Sequence, residues 1–516
     1  GVLEWGYRAL PAPTAHVFDW TGGFPYSNTL AGTENLLGWQ LFYAPLRAAG
    51  MSVAGAYNML IILSFILSGL GACVLARQLG ADDPGAFLAG FVFAFVGFHL
   101  NHAIQLQTLA VAWTPWAIWF LDRYLDRGRL RDAIGVGACF AECLASCLYV
   151  GAFLAFVLPS YAALALGFRR HPFERKRLAV LAGVGACTLI PLWPIVTAHL
   201  AYARAFTYHH AVDQLARFSV ELTALIKVPE WQAMWHHSSY ISPTANFSAA
   251  FPGLAALALG VYGCWRGGKA ARLMLILCFV CFLMSLGPRL MVYQQTPVSH
   301  ADLLPLPGRI FEVFSVIRWP MRILFFSYLA WSALCGLGFT AAVRSWPSWA
   351  RWLAAACVLT ILFAEYRPMA RYAGNSMTIP DPLALSDAYP FLAAETDRGG
   401  VVELPAADTT GYRTPMLVKS TYGSAGHFRR VVAFHGSVRP TLTIPLLEAA
   451  ERAPDPASLQ LLRQNGCTRL VVHRTWQWQD TLDGKIRALR EAGLPVLYES
   501  KESVVFALDQ RIGTVQ

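Results

Sequence analysis

The sequence predicts a polytopic α-helical membrane protein that carries a small α/β domain at its C-terminal end. Three observations predict it. About ten apolar stretches punctuate the chain before residue 366, Arg and Lys load almost every second loop between them, and beyond Glu365 the composition turns polar with alternating strand-like and helix-like runs. With 56% of residues hydrophobic and 14% charged, the chain is far from a soluble average.

The apolar stretches run from Ala56 to Ala76, Gly85 to Leu100, Leu106 to Leu121, Ala133 to Val150, Ala152 to Leu166, Leu178 to Leu200, Ala249 to Trp265, Leu273 to Leu286, Ile323 to Val343 and Trp352 to Ala364. Several are shorter than a comfortable span. The loops after the first, third, fifth, seventh and ninth carry Arg77; Arg123, Arg127, Arg129 and Arg131; Arg169, Arg170, Arg175, Lys176 and Arg177; Arg266, Lys269 and Arg272; and Arg344 and Arg351. The positive-inside bias puts these five loops in the cytoplasm, and the other loops and both chain ends outside. The segment before Ala56 then lies outside with nothing to carry it there, so a further membrane helix is expected ahead of Gly1.

Residues 1–53 read as a first extracytoplasmic loop with an interfacial helix. Residues 54–366 read as the membrane domain with external loops 202–248 and 288–320, and residues 367–516 as the external α/β domain. In that last part Val401 to Leu404, Arg430 to Phe434, Leu470 to His473, Pro495 to Tyr498 and Val504 to Leu508 read as strands, and Ser458 to Asn465 and Asp480 to Ala492 as helices. No internal repeat stands out, which disfavours repeat-built transporter folds.

The net charge of +10 does not signal nucleic acid, because the basic residues sit in short loops beside membrane ends. The cysteines lie mostly inside apolar stretches, with Cys139, Cys143 and Cys147 on one helical face and Cys467 alone outside, so neither a disulfide framework nor a zinc site is indicated. Cys278 and Cys281 form a CxxC that reads as small-residue helix packing.

Candidate chemistry lies on the external side. In the first loop Asp19 and Glu34 are acids at the headgroup level, each placed to deprotonate a sugar hydroxyl. The plainer alternative is that Asp19 caps a turn and Glu34 sits in the first turn of an amphipathic helix from Asn35 to Ala49, anchored at the interface by Trp39, Phe42 and Tyr43. The second hairpin ends in His99, His102, Gln105 and Gln107, which suit a metal, a phosphate or sugar hydroxyls, or else cap two membrane helices. Glu142, near the middle of its stretch, needs a partner such as Ser146 or a purpose. Arg204 and Arg217 lie in the second loop, where Val220 to Val228 reads as a surface helix. Arg318 and Arg322 straddle Pro320 at the mouth of the bundle, where guanidinium is the natural clamp for a phosphate oxygen and snorkelling to headgroups is the alternative.

Glu34 with its Leu-Leu-Gly continuation, the run Ala86 to Phe95 leading to His102 and Gln105, the segment Phe251-Pro252-Gly253-Leu254, the tetrapeptide Ser285-Leu286-Gly287-Pro288 and the stretch Arg318 to Arg322 together resemble the bacterial YfhO-like multi-pass proteins, within the wider GT-C glycosyltransferases. The resemblance implies a GT-C-like fold and an enzyme of the bacterial cytoplasmic membrane. Such an enzyme takes a sugar from a polyprenyl-phosphate donor and passes it to a cell-envelope glycan or lipid on the outer side. It also implies an acid of the first external loop, Asp19 or Glu34, as general base, and Arg318, Arg322, Arg204 and Arg217 on the lipid phosphate. GT-C enzymes place that acid close after a first membrane helix, and this sequence holds no such helix ahead of Asp19. Magnesium could assist, although no ligand set in the sequence demands it. Tyr422, His427, His435 and Arg439 are the residues of the external domain most suited to an acceptor glycan, the alternative being that they only stabilise that domain. Two other classes stay open: a flippase for lipid-linked glycans, and a glycan-binding scaffold without chemistry of its own.

Overall fold

The computed structural model describes residues 1–11, 16–169, 174–206, 215, 218–228, 231–235, 250–287, 291–293, 296–297, 320–369, 381–406, 414–436, 439–476 and 479–509. Its contacts divide the chain into two compact units, one of residues 58–193 and 209–377, the other of residues 1–57, 194–208 and 378–516.

The membrane-domain unit is helical. In chain order its helices are α3 (Val53–Leu79), α4 (Asp83–Phe95) with the short α5 (Gly97–Asn101), α6 (Thr114–Arg127), α7 (Leu130–Ser146), α8 (Leu148–Arg169), α9 (Arg175–Ala205), α10 (Leu254–Arg266), α11 (Gly268–Ser285), α12 (Leu324–Ala342) and α13 (Ser348–Tyr366), with α1 and α2 left to the other unit. All ten apolar stretches fall on helices, and among the described residues seven helical segments are long and apolar enough to cross a bilayer. The others are shortened for local reasons. The third stretch begins as a 3-10 turn over Thr108–Trp113, and the fourth breaks at Cys147, whose backbone is extended. Glu142 therefore lies one turn from the end of α7, and neither its Oε2 nor the Ser146 hydroxyl has a hydrogen-bond partner among the described residues.

α12 is the hub, almost wholly buried against α4, α10 and α11. Two glycine contacts explain its fit. A Cβ on Gly338 would come within 2.1 Å of the Leu259 carbonyl, and one on Gly336 within 2.7 Å of the Gly85 carbonyl, so the backbones touch where small residues permit it. By contrast α9 and α13 keep most of their apolar surface outward, as lipid-facing helices do.

Two motifs that carried the family resemblance prove architectural. Glu365 receives the Leu254 and Ala255 amides at 2.7 and 3.2 Å, capping α10 behind Gly253, which adopts φ of 89°. Gly287, at φ of 68°, lets Ser219 approach where a Cβ would lie 1.9 Å from its hydroxyl. Four of the five loops expected on one side meet: Gln78 donates to Asp122 and Asp126 at 3.0 and 3.1 Å, Arg177 donates to the Leu125 carbonyl, and Arg351 pairs with Asp82 at 3.4 Å.

The second unit joins the first loop to the C-terminal domain. That domain holds a four-stranded sheet of β3 (Gly400–Leu404), β4 (Cys467–His473), β5 (Val496–Glu499) and β6 (Ser503–Ala507), with β1 (Met291–Tyr293) and β2 (Thr296–Pro297) forming a separate small hairpin in the other unit. The order is β3-β4-β6-β5, with β3 parallel to β4 and the other pairs antiparallel. Arg430 to Phe434 is not a strand. Val431 makes only single bridges, to Val401 on one side and Gly22 of the first loop on the other.

The first loop begins with α1 (Val2–Ala9), which the sequence reading missed. Its buried Glu4 accepts from Tyr43 at 3.0 Å and Arg47 at 2.9 Å, and Trp5 and Arg8 lie against Phe428. The expected Asn35–Ala49 helix is α2 (Gln40–Ala48), and Trp39 and Tyr43 are fully buried in this unit rather than anchoring at an interface. Val220 to Val228 is a 3-10 turn over Leu222–Ile226.

Candidate functional site

In the membrane unit α5 and the turn after it set a polar cluster at one end of the bundle. His99 and His102 are fully buried, and their Nδ1 atoms bond the Phe93 and Phe98 carbonyls at 2.9 and 2.8 Å. A carbonyl only accepts, so in the neutral rings the proton sits on Nδ1 and Nε2 is an acceptor. That lone pair suits a hydroxyl donor rather than a phosphate oxygen. Phe325 packs edge-on to both rings, at 5.4 and 5.3 Å.

Arg322 lies in the 3-10 turn Pro320–Ile323 that opens α12, and it is only 4% exposed. It donates from Nη2 to Gln105 Oε1 at 3.1 Å, and its guanidinium stands 4.6 Å over the Tyr149 ring. A charge drawn this far into a helical bundle is costly unless polar or aromatic groups compensate it. Its burial does not suit snorkelling to headgroups. The structure therefore brings His102, Gln105 and Arg322 together and adds Tyr149, which the sequence reading did not single out. Asn101, between the two histidines, accepts from the Trp231 indole at 2.6 Å.

Gln107 is half-buried at the start of the 3-10 turn and does not cap it. Arg204 is exposed in the last turn of α9, in the other unit. Arg217 and Arg318 lie outside the described residues.

Asp19 and Glu34 share the second unit but differ in setting. Asp19 Oδ1 accepts the Asn28 amide at 2.6 Å, the turn-capping arrangement. Glu34 is not in the first turn of a helix, since α2 starts only at Gln40, and its Oε2 is buried without a hydrogen-bond partner among the described residues. The backbone at Leu36 is left-handed, with φ of 54°.

In the C-terminal domain His427 belongs to a buried cluster, Tyr422 is half-buried, and His435 and Arg439 are exposed. Glu403 faces His473 Nε2 at 3.6 Å and His427 Nε2 at 3.9 Å, and accepts from Tyr389 at 3.1 Å. Burial alone would raise the Glu403 carboxyl. The hydrogen bond and charge of His473, with His427 and Ser420, outweigh it and hold the group below its ordinary value. Burial pulls His427 down to about 4 against the opposing charge of Glu403. Among the described residues no group of three or more His, Cys, Asp or Glu could hold a metal ion.

The helical membrane bundle with its small sheet domain is a fold shared with solved structures at low sequence identity. The chain is similar to the structure of ArnT from Cupriavidus metallidurans bound to undecaprenyl phosphate, with a TM-score of 0.53 and 12% identity over 100% of this chain and 94% of that one. ArnT from the same organism in the apo state gives 0.51 and 12%, covering 98% and 92%. The archaeal oligosaccharyltransferase AglB from Archaeoglobus fulgidus, in complex with an inhibitory peptide and a dolichol-phosphate, gives 0.50 and 11%, covering 98% and 70%. No family model and no curated protein matches the sequence.

Proposed function

We propose that the protein is a membrane glycosyltransferase that moves a sugar from a polyprenyl-phosphate donor to a cell-envelope acceptor on the extracytoplasmic side, as a YfhO-like member of the GT-C enzymes. The observation that carries this reading is Arg322, a buried guanidinium at the end of the bundle. The fold shared with proteins solved with dolichol-phosphate and undecaprenyl phosphate supports it.

In the proposed reaction the acceptor oxygen attacks the anomeric carbon, the bond from that carbon to the phosphate oxygen breaks, and the polyprenyl phosphate leaves with the bonding pair. Arg322 meets the charge that grows on the leaving phosphate. The acceptor proton passes to a carboxylate, for which Glu34 is preferred over Asp19, because Asp19 already spends an oxygen on a turn. His102 accepts a sugar hydroxyl through Nε2. The basic loops lie in the cytoplasm, and the C-terminal domain lies outside the bacterial cytoplasmic membrane.

Binding of undecaprenyl phosphate to the purified full chain tests the clamp. A charge-assisted contact is worth roughly 1.5–3 kcal/mol, so Arg322→Ala weakens binding by about 10–100-fold. Equal binding by wild type and a folded variant removes Arg322 from the site.

A further inference from the structure

Helices α7, α8 and α9 do not close on each other. They leave a cavity of about 520 Å³ whose wall is almost wholly apolar, lined by residues such as Ala133, Phe140, Leu166, Leu178 and Gly185. That is the volume of a drug-sized ligand site, roughly 300–1,000 Å³. Leu178 and Leu189 on its wall are exposed, so the slot opens at its flank, on helices that face lipid.

One end of the slot is cationic. Ala133 and Leu178 line it two residues beyond Arg131 and Lys176, and Arg127, Arg129, Arg131, Arg175 and Lys176 are all exposed there. The two sides of this rim are tied together, since Tyr124 donates to the Arg177 carbonyl at 3.0 Å and the Arg177 guanidinium reaches the Leu125 carbonyl. The rim is also remote from Arg322. α7 runs from Leu130 at the rim to Ser146, three residues before Tyr149, and 17 residues of helix span about 25 Å.

We propose that the slot and its rim bind an anionic phospholipid, one acyl chain in the slot and the headgroup phosphate among the five cations. An apolar slot open to the bilayer selects a chain, and clustered Lys and Arg at a membrane end select a negative headgroup. The distance from Arg322 assigns the occupant to the opposite leaflet, as a phospholipid and not the sugar carrier. The site is independent of the proposed transfer reaction.

Native mass spectrometry of the full chain, with equal amounts of dioleoylphosphatidylglycerol and dioleoylphosphatidylcholine added, tests it. Wild type retains phosphatidylglycerol in preference. Gly185→Phe loses retention of both lipids, and because a Cβ there meets nothing within 4 Å its thermal midpoint stays that of wild type. Arg129→Ala with Arg131→Ala lowers phosphatidylglycerol retention by roughly five-fold per cation and leaves phosphatidylcholine unchanged. Equal retention of the two lipids by wild type, undiminished retention by Gly185→Phe, or displacement of phosphatidylglycerol by equimolar undecaprenyl phosphate overturns the proposal.

Discussion

Acidification from pH 7.5 to 5 destabilises the unit that contains the C-terminal domain, through His427. The neutral ring accepts the Arg429 amide on Nδ1 at 3.1 Å and faces Glu403 with Nε2, while Arg429, His473 and Tyr389 complete its surroundings. Its ordinary value is 6.5 and burial lowers it to about 4, so between those values the unfolded state binds a proton that the folded state refuses. The contribution is complete above pH 6.5 and is lost as pH falls toward 4, roughly 3 kcal/mol in all and about 2 kcal/mol by pH 5. Glu403, held below its ordinary value, acts in the same direction at still lower pH. For a unit of this size about 2 kcal/mol shifts the thermal midpoint by roughly 4–8 °C. Calorimetry of the full chain at both pH values, for wild type and His427→Gln, reads it. The variant loses most of the acid-induced drop, and an equal drop in both proteins refutes the assignment.

Three further outcomes follow from the packing. Glu365→Ala leaves the Leu254 and Ala255 amides uncapped and lowers stability by about 1–2 kcal/mol, read as a lower thermal midpoint, with Glu365→Gln retaining part of it. Gly338→Ala forces a methyl against the Leu259 carbonyl and sharply reduces the yield of folded protein, whereas Gly183→Ala, with open space at its Cβ, is neutral or slightly stabilising. Tyr149→Leu removes the ring under Arg322 and weakens undecaprenyl phosphate binding by roughly two- to thirty-fold, and unchanged affinity counts against the stacked guanidinium as part of the site.

The bundle was legible because lipid-facing and core-facing helices are both apolar, so every stretch announced itself by composition alone. Helix breaks were not. Cys147 carries no Pro or Gly signal, so Glu142 read as the middle of one stretch although it lies one turn from the end of α7. Trp39 and Tyr43 read as interfacial anchors because an aromatic-rich amphipathic segment looks the same whether its partner is lipid or protein; both are buried, and the hydroxyl of Tyr43 donates to Glu4, 39 residues earlier in the chain. The association of residues 1–57 with the C-terminal sheet depends on contacts such as Thr21 with Ser424 and Gly22 with Val431, which no local pattern reveals. At the site, the charge of Arg322 and the amide of Gln105 stood out as polar groups at the end of an apolar run. Tyr149 did not, since an aromatic at a membrane end is ordinary.

The most direct test of the transferase account follows release of polyprenyl phosphate by the protein in lipid vesicles supplied with a panel of polyprenyl-phosphate sugars and candidate acceptors, for wild type, Asp19→Asn and Glu34→Gln. The account predicts release by wild type and by Asp19→Asn, and its loss in folded Glu34→Gln. No release from any donor by wild type contradicts it and favours a flippase or a glycan-binding scaffold.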